Sequence, residues 1–159
     1  MAHQPDIAQV WELIEKIGIC MLTTREGEAL RARPMSAHAK PDENAIYFLA
    51  DVRQHKEEII RQTPSVGLAF ADNGSYKYVS VTGHAEISND RAKIKELWST
   101  WAKAWWSGPD DPNIRLLRVD PVDAEYWDSP GKIISGIKMG VAALTGERPD
   151  LGRNRKVAM

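Results

Sequence analysis

Residues 65–87 read SVGLAFADNGSYKYVSVTGHAEI, and this stretch decides the fold class. Two segments rich in β-branched and aromatic residues, 65–71 and 76–87, flank the dipeptide Asn73-Gly74. Asn-Gly is typical of a two-residue β-hairpin turn, because both residues tolerate the positive φ that such a turn requires. The stretch therefore predicts two antiparallel strands joined by a tight turn.

The flanking sequence adds further strands and helices. Asp6 can cap a helix whose apolar stripe ends before Gly18, and Asp90 can cap a second helix that runs to about residue 105. Two more helices are predicted at 51–63 and 132–145, and more strands at 19–24, 29–38, 45–50, 114–119 and 124–127. Six or so short strands with hairpin-length loops and peripheral helices indicate an antiparallel barrel, mainly β and α+β by class.

Composition narrows the class of protein. The chain has 159 residues, 43% hydrophobic and 27% charged, which predicts one domain over residues 1–159, with a C-terminal helix and tail from about residue 132. A net charge of −1 gives no global basic field, so we expect no nucleic-acid partner. One cysteine, no visible signal peptide and no apolar run long enough for a bilayer predict a cytoplasmic protein without a membrane partner.

Motifs for metal and nucleotide chemistry are missing from the sequence. The four histidines lie far apart and none is near a cysteine, so no metal site is predicted. The chain has no P-loop, no Gly-x-Gly-x-x-Gly fingerprint and no Gly-x-Ser-x-Gly nucleophile elbow. Cys20 lies in an apolar strand and is interpreted as a small buried hydrophobe. The sequence therefore identifies no catalytic residue.

A first cluster of cations lies in Arg31-Ala32-Arg33-Pro34-Met35. Alternation along a strand places Arg31, Arg33 and Met35 on one face, so two like charges lie side by side. This arrangement is unfavourable unless solvent or an anion compensates it. Pro34 cannot donate a ladder hydrogen bond, so the strand is at an edge or is interrupted here. Two interpretations stay open: a solvated edge strand with protective charges, or one wall of an anion site.

A second cluster of cations, Arg53-Gln54-His55-Lys56, directly follows a predicted strand. It falls in the first turn of the predicted helix 51–63, where the helix dipole favours anions over cations. A bound phosphate would account for the cations, because Arg and Lys donate charge-assisted hydrogen bonds and the helix end adds backbone donors. The alternative is pairing with the two glutamates that follow along the helix.

Tryptophan is over-represented, with six residues against two phenylalanines. Trp98, Trp101 and Trp105 follow helical spacing and are predicted to pack in the core. Trp106 points about 100° away from Trp105, at the end of the predicted helix. An aromatic side chain at that position could cover a planar ligand or pack on a partner subunit.

Several short stretches occur in an order and spacing that extend over nearly the whole chain. They are Arg33-Pro34-Met35, Tyr47-Phe48-Leu49-Ala50 with Lys56, residues 78–85, Leu97-Trp98, Trp105-Trp106, Asp110-Asp111-Pro112, residues 116–119, residues 125–130 and residues 144–152. Together they resemble the flavin-binding split-barrel superfamily of pyridoxamine 5′-phosphate oxidase, and within it the general stress protein 26-like branch.

The resemblance implies a six-stranded antiparallel split barrel that forms a homodimer and holds FMN at the subunit interface. The cofactor-binding residues that it implies are Arg31, Arg33, Met35, Leu49, Ala50, Arg53, His55, Lys56, Tyr78, Ser80 and Trp106. Met35 would lie beside the ring system, and Leu49 and Ala50 would offer it backbone groups. His55 and Lys56 match the basic pair that binds phosphate in the oxidases.

Other positions follow the resemblance less closely. Tyr78 and Ser80 correspond to a strand that passes near the cofactor, and Trp106 would cover the ring from the other subunit. The oxidases have Ser-Arg-Lys where this chain has Gln-His-Lys, so the titratable His55 replaces one phosphate cation and Arg53 is the candidate to compensate. The oxidases' C-terminal pattern of substrate-binding Arg and His is missing, so we do not expect pyridoxamine 5′-phosphate oxidation.

The resemblance predicts an FMN-binding protein that acts as a flavin-dependent oxidoreductase on an unknown substrate. Its electron partner would be a nicotinamide cofactor or another small molecule. A flavin-binding stress or redox-sensing protein without turnover is the alternative. A third hypothesis is that the same fold binds a deazaflavin or haem, although no histidine is placed as an axial haem ligand.

Overall fold

The structure is a computed structural model that describes residues 4–130, 132–148 and 152–159 of the chain. The strands in these residues are β1 Ile19–Glu26, β2 Ala29–Ser36, β3 His38–Lys40, β4 Ala45–Asp51, β5 Ser65–Asp72, β6 Lys77–Ser88, β7 Ile114–Asp128 and β8 Arg153–Ala158. The helices are α1 Gln4–Ile17, α2 Lys56–Gln62, α3 Arg91–Leu97 and α4 Lys132–Thr145. Every strand pair is antiparallel, which confirms the mainly β, α+β class.

The strands form one sheet that does not close. Their order is β2-β1-β5-β6-β7-β4-β3, and β8 pairs with the second half of β7. The predicted strand 29–38 is broken at Ala37, whose amide donates to the carbonyl of Gly18 at 2.8 Å. The two ends of the sheet, β2 and β3, are therefore consecutive in sequence but not paired. We call the opening between β2 on one side and β3 and β4 on the other the seam.

Two apolar clusters lie on opposite faces of β4. Because side chains alternate along a strand, Phe48 and Ala50 join the larger cluster, whereas Tyr47 and Leu49 join the smaller one with α3. Helix α1 seals the larger cluster with the side chains of Val10, Trp11, Leu13 and Ile14. Each fully buried side chain of this size stabilises the fold by about 1.5–3 kcal/mol. The larger cluster thus holds the sheet together, and the smaller one holds α3 next to the seam.

The hairpin of residues 65–87 is present, but its turn differs from the prediction. Strands β5 and β6 pair from Ser65 with His84 to Asp72 with Lys77. The two-residue turn is wrong, since residues 73–76 connect the strands and Tyr76 takes a φ of 54°. The Asp72 carboxylate accepts hydrogen bonds from two backbone amides of the turn, that of Gly74 at 3.0 Å and that of Ser75 at 3.2 Å. These bonds favour the longer turn.

The C-terminal strands also differ from the prediction. The segments predicted at 114–119 and 124–127 are one strand, β7, whose register with β6 shifts between Thr82 and Gly83. A side chain at Gly83 would collide with Val119, so glycine permits this close approach. The predicted polar tail contains β8, in which only Val157 is buried, so it has no apolar alternation to reveal it. Strands β3 and β8 account for eight strands where about six were expected.

Two helix predictions are wrong in extent. Asp90 does cap a helix, accepting from the Lys93 amide at 3.1 Å, but α3 ends at Leu97 and a 3-10 segment follows at Thr100–Ala104. Ile94 and Leu97 of α3 already fill the smaller cluster. The Ser-Thr pair after Trp98 disfavours a longer α-helix, because these side chains compete for backbone hydrogen bonds.

The other helix, predicted at 51–63, begins only at Lys56. A 3-10 turn at Val52–Gln54 and the left-handed His55 (φ 56°) come before it. The basic residues at 53–56 therefore do not share one helical turn. Helix α1 in turn begins before Asp6, whose carboxylate accepts from the Tyr126 hydroxyl at 2.8 Å instead of capping the helix.

Candidate functional site

A cavity of about 560 Å³ lies in the seam, a volume within the range of small-molecule sites. It is bounded by β2, β3, the end of β4, the start of α2 and the 3-10 segment Thr100–Ala104. Its lining residues are Arg33, Pro34, Met35, Ser36, His38, Leu49, Asp51, Gln54, Lys56, Ser99, Trp101, Ala102, Trp105 and Trp106. The wall thus combines apolar and aromatic surface with three basic side chains and one carboxylate.

Lys56 is the buried charge of the cavity. Its residue is only 5% exposed, and its Nζ lies 3.6 Å from the sulfur of Met35. Among the residues that the structure describes, Lys56 forms no ion pair. Burial, and next the charge of Arg33, lower the pKa of its ammonium group. The charge of Asp51 raises that pKa, but Arg53 already binds Asp51, so a ligand that brings negative charge would relieve the cost of burying Lys56.

Arg33 also lines the cavity, but it already has an anionic partner. Its guanidinium donates to Glu26 at 2.6 Å and to the Thr24 hydroxyl at 3.2 Å. Arg31 lies 3.8 Å from the other Glu26 oxygen, is exposed and does not line the cavity. Glu26 therefore compensates both arginines, which the sequence pattern did not reveal. The position of β2 at the end of the sheet confirms the edge strand expected from Pro34.

Asp51 is the carboxylate of the cavity wall, and Arg53 holds it from outside. The Arg53 guanidinium donates to both Asp51 oxygens, at 2.9 and 2.5 Å, and the Arg53 amide donates at 2.9 Å. These bonds to Arg53 are the main cause of the lowered pKa of Asp51, to which the indole of Trp106 adds. Arg53 is exposed and does not line the cavity, and its guanidinium is paired with Asp51.

The tryptophans divide differently from the prediction. Trp98 packs against the smaller cluster, as expected, but Trp101 is 84% and Trp105 67% exposed, so their assignment to the core is wrong. The helix that would have buried them ends at Leu97. Trp106 packs at the edge of the smaller cluster, and its buried Nε1 interacts with the Asp51 carboxylate without reaching the geometry of a well-formed hydrogen bond. Trp101, Trp105 and Trp106 all line the cavity.

Of the predicted binding residues, the structure brings five together at the cavity. They are Arg33, Met35, Leu49, Lys56 and Trp106. Ala50 faces the larger cluster. Arg31, Arg53 and His55 are exposed and do not line the cavity. Tyr78 and Ser80 lie on β6, and Ser80 lines a second depression with Glu125 and Lys156.

Sequence reasoning missed two ionisable residues of the cavity wall, His38 and Asp51. His38 is half-buried on β3, and burial followed by the charge of Lys40 lowers the pKa of its imidazole. Its position shortly after Arg33-Pro34-Met35 is the signal that could have found it. In the described part of the chain, no three His, Cys, Asp or Glu side chains are grouped as metal ligands.

Comparison with known proteins connects this site to a family. The family model described as pyridoxamine 5′-phosphate oxidase like matches residues 5–150. The chain belongs to this family. It is 32% identical over 134 residues to general stress protein 26 of Bacillus subtilis strain 168, covering 82% of this chain and 94% of that protein.

Solved structures of family relatives have the same fold. A protein from Jannaschia sp. CCS1, named for general stress protein 26, matches with a TM-score of 0.80 and 28% identity over 99% of this chain and 100% of that one. A general stress protein from Xanthomonas citri, described as FMN/FAD binding, matches with a TM-score of 0.70 and 27% identity over 79% of this chain and 90% of that one. These matches confirm the resemblance and the split-barrel fold. Among the described residues of this family member, no helix is long and apolar enough to cross a membrane.

Proposed function

We propose that the cavity in the seam binds FMN and that the protein is a flavin-dependent oxidoreductase. FMN joins a planar, largely apolar ring system to a phosphate. The cavity offers apolar and aromatic surface together with basic side chains in one space. The X. citri relative, described as FMN/FAD binding, supports the same class of ligand.

The observation that carries this proposal is the buried, unpaired ammonium group of Lys56. Its only hydrogen-bond partner among the described residues is the weak acceptor Met35. A phosphate would supply the missing charge and accept charge-assisted hydrogen bonds. Arg33 lines the same cavity, and its charge lowers the pKa of Lys56, so an anion bound there would be attracted by both cations.

The ring system would be held by Met35, Leu49 and Trp106. These side chains provide apolar and aromatic contacts on the cavity wall. The Nε1 of Trp106 is a buried donor whose interaction with Asp51 falls short of a well-formed hydrogen bond, and a ring carbonyl or nitrogen of the ligand would satisfy it. A bound flavin would supply the hydride and electron chemistry, while these residues bind and orient it and limit access of water.

We further propose that the protein acts as a homodimer with the flavin at the subunit interface. Tyr78 and Ser80 lie outside the cavity, so they would contact flavin only from a partner subunit. Helix α4 supports this assembly, because several large apolar side chains on it are exposed: Ile137, Met139, Val141 and Leu144. Exposed apolar surface of this kind marks an interaction site.

The electron partner in this proposal is a nicotinamide cofactor or another small molecule, and pyridoxamine 5′-phosphate is not the expected substrate. A flavin protein without turnover, acting in stress or redox sensing, is the second candidate. It is favoured by the lack of a free carboxylate among the described residues of the cavity, since Arg53 binds both oxygens of Asp51. A deazaflavin would use the same phosphate cations. The buried, free Cys20 fits a protein of the reducing cytoplasm.

Titration with FMN and with riboflavin tests the proposal, because riboflavin has the same ring without the phosphate. Absorbance spectra and quenching of flavin fluorescence give both dissociation constants. We expect FMN to bind roughly 10- to 100-fold more tightly, the worth of one or two hydrogen bonds to a charged group. Binding of neither compound would reject a flavin site, and equal binding would reject Lys56 as the phosphate contact.

Anaerobic reduction separates the two candidate functions. FMN-loaded protein is mixed with NADH or NADPH, and the loss of flavin absorbance is followed in time. Reduction faster than that of free FMN supports the oxidoreductase. Reduction no faster than that of free FMN, with both nucleotides, favours the non-catalytic protein.

A further inference from the structure

We infer that Arg53 is a positioning residue: it holds the Asp51 carboxylate so that Asp51 does not pair with Lys56, and the Lys56 ammonium group stays free for an anionic ligand. The inference rests on the proposed FMN site and deepens it. Arg53 is exposed and does not line the cavity, so it acts on the ligand only through the other two side chains.

The first observation is that two opposite charges line one cavity without forming an ion pair. Burial and the charge of Arg33 lower the pKa of Lys56, and the charge of Asp51 raises it, so Lys56 and Asp51 interact. Yet Lys56 forms no ion pair among the described residues, and its Nζ lies 3.6 Å from the Met35 sulfur instead. Pairing would offset part of the cost of burying the ammonium group. Another contact must therefore hold the carboxylate.

The second observation is the set of hydrogen bonds that Arg53 makes to Asp51. The guanidinium donates from Nε to Oδ1 at 2.9 Å and from Nη2 to Oδ2 at 2.5 Å, and the Arg53 amide donates to Oδ1 at 2.9 Å. A guanidinium that donates to both oxygens fixes the plane of a carboxylate as well as its position. The indole of Trp106 adds a further interaction with Asp51. Both oxygens are therefore held by groups other than Lys56.

Loss of Arg53 would change the charge that the ligand meets. Arg33, the other strong cation of the described wall, is already paired with Glu26 at 2.6 Å, so a released Asp51 carboxylate would pair with Lys56. That ion pair would compete with the phosphate for Lys56, and the carboxylate would also repel the phosphate. The affinity for FMN therefore depends on Arg53, although Arg53 does not contact the ligand.

Fluorescence titration of the Arg53→Ala variant with FMN and with riboflavin tests the inference. We expect the affinity for FMN to fall about fivefold and the affinity for riboflavin, which has no phosphate, to change less than twofold. Arg61→Ala is the matched control, because it removes the same charge from a nearby exposed position. Arg61 lies on α2, pairs with Glu57 at 3.0 Å and does not line the cavity. Its FMN affinity should change less than twofold.

Two double variants show whether Arg53 acts through Asp51 and Lys56. Adding Asp51→Asn to Arg53→Ala should restore FMN affinity to within about twofold of the wild type, since asparagine has no charge to pair with Lys56. Asp51→Asn alone should strengthen FMN binding by a smaller factor than it does in the Arg53→Ala background. In the Lys56→Met background, Arg53→Ala should have no further effect on FMN affinity.

Several results overturn the inference. Unchanged FMN affinity in Arg53→Ala would show that Arg53 does not control Lys56. A loss that Asp51→Asn does not reverse, or that persists in the Lys56→Met background, would show that Arg53 contacts the phosphate itself. An equal loss for FMN and riboflavin would indicate a damaged wall or a lost subunit contact. An equal loss in Arg61→Ala would indicate a general effect of charge.

These outcomes are distinct from failure of the proposed function. If the wild-type protein does not bind FMN, or binds it no better than riboflavin, the phosphate site fails, and the pairing of Lys56 is then measured without ligand. Carbon NMR of the lysine side chains across a pH series gives the pKa of Lys56, whose signal is assigned by its loss in Lys56→Met. Arg53→Ala should raise that pKa, because Asp51 then pairs with Lys56, and adding Asp51→Asn should cancel the rise. An unchanged pKa in Arg53→Ala overturns the inference.

Discussion

Two lysines that both lie close to β4 have opposite surroundings. Lys93 on α3 places its Nζ 2.9 Å from a carboxylate oxygen of Glu43, 2.9 Å from one of Glu96, and 5.1 Å from the centroid of the Tyr47 ring. Its hydrogen bonds to Glu43 and then Glu96 raise its pKa. Lys56 is more deeply buried, has a thioether for a partner, and has a lowered pKa because of burial.

The comparison separates a cation that is paired within the chain from one that forms no ion pair among the described residues. The Lys93 region is complete by itself, because the Tyr47 hydroxyl donates to Glu43 at 2.5 Å and accepts from Arg118 at 2.9 Å. The Lys56 region has cations and apolar surface but no free anion among the described residues. Burial of a charge therefore says little about function until its partners are known.

The largest difference in FMN affinity is expected between two variants in which one lysine or the other is replaced by methionine. Lys56→Met should weaken FMN binding about 10- to 100-fold, since a hydrogen bond to a charged group is lost, and should remove the preference for FMN over riboflavin. Lys93→Met should leave FMN binding within twofold but lower the urea midpoint, because Glu43 and Glu96 lose a partner. Fluorescence titration and urea unfolding measure the two effects. Equal loss of FMN affinity in both variants would end the distinction.

Removal of the Tyr47 hydroxyl tests the self-contained region directly. Tyr47 is almost fully buried, and Tyr47→Phe removes two hydrogen bonds, so we expect a loss of about 1–2 kcal/mol in the free energy of unfolding. Tyr78→Phe is the control, because that hydroxyl bonds only an exposed side chain, Asn73, at 3.1 Å. Chemical denaturation compares them. A similar loss in both variants would show that the hydrogen bonds of Tyr47 add no more stability than the exposed one of Tyr78.

The two arginines of β2 differ in whether they line the cavity, so their variants test which of them contacts FMN. Arg33→Ala should weaken FMN binding about fivefold, less than the Lys56 variant, because Glu26 already neutralises part of the Arg33 charge. Arg31→Ala, next to the same glutamate but outside the cavity, should change it less than twofold. Fluorescence titration of both variants decides the matter. A stronger effect at Arg31 would move the phosphate contact out of the cavity.

The smallest expected effect is in the pH dependence of stability. Lys56 has a lowered pKa when folded, whereas an unfolded lysine titrates near pH 10.4. Between these values the unfolded chain binds more protons, so the free energy of unfolding rises with pH. The ligand-free Lys56→Met variant should thus exceed the wild type in stability most near neutral pH, with a gap that narrows toward about pH 10.

The pKa of Lys93 is shifted in the opposite direction, upward, so Lys93 does not change the pH dependence of stability between neutral pH and about pH 10. Its raised pKa gives a contribution that is complete below the unfolded value and is lost only as the pH rises through the higher folded value. Urea unfolding of the wild type and the Lys56→Met variant at several pH values checks the prediction. A gap that widens with pH would contradict a lowered Lys56 pKa.

Elements with a strong local pattern were predictable. The apolar stripe of α1, its stop at Gly18, the alternating β5 and β6 pair and the bounds of α4 agree with the sequence, because periodicity and turn chemistry act over a few residues. Elements that depend on a distant partner were not. Strand β8 has little pattern of its own and forms because β7 offers a free edge beyond its pairing with β4.

The candidate site follows the same division. Residue types and their spacing were enough to predict the fold class and the two basic clusters, and the family resemblance added the flavin hypothesis. Three features could be seen only in the folded chain: Lys56 is buried and forms no ion pair among the described residues, Glu26 and Asp51 bind the neighbouring arginines, and Trp101 and Trp105 are exposed at the cavity. The physical reason is that residue type fixes a charge or a ring, whereas burial and pairing depend on residues far apart in the chain.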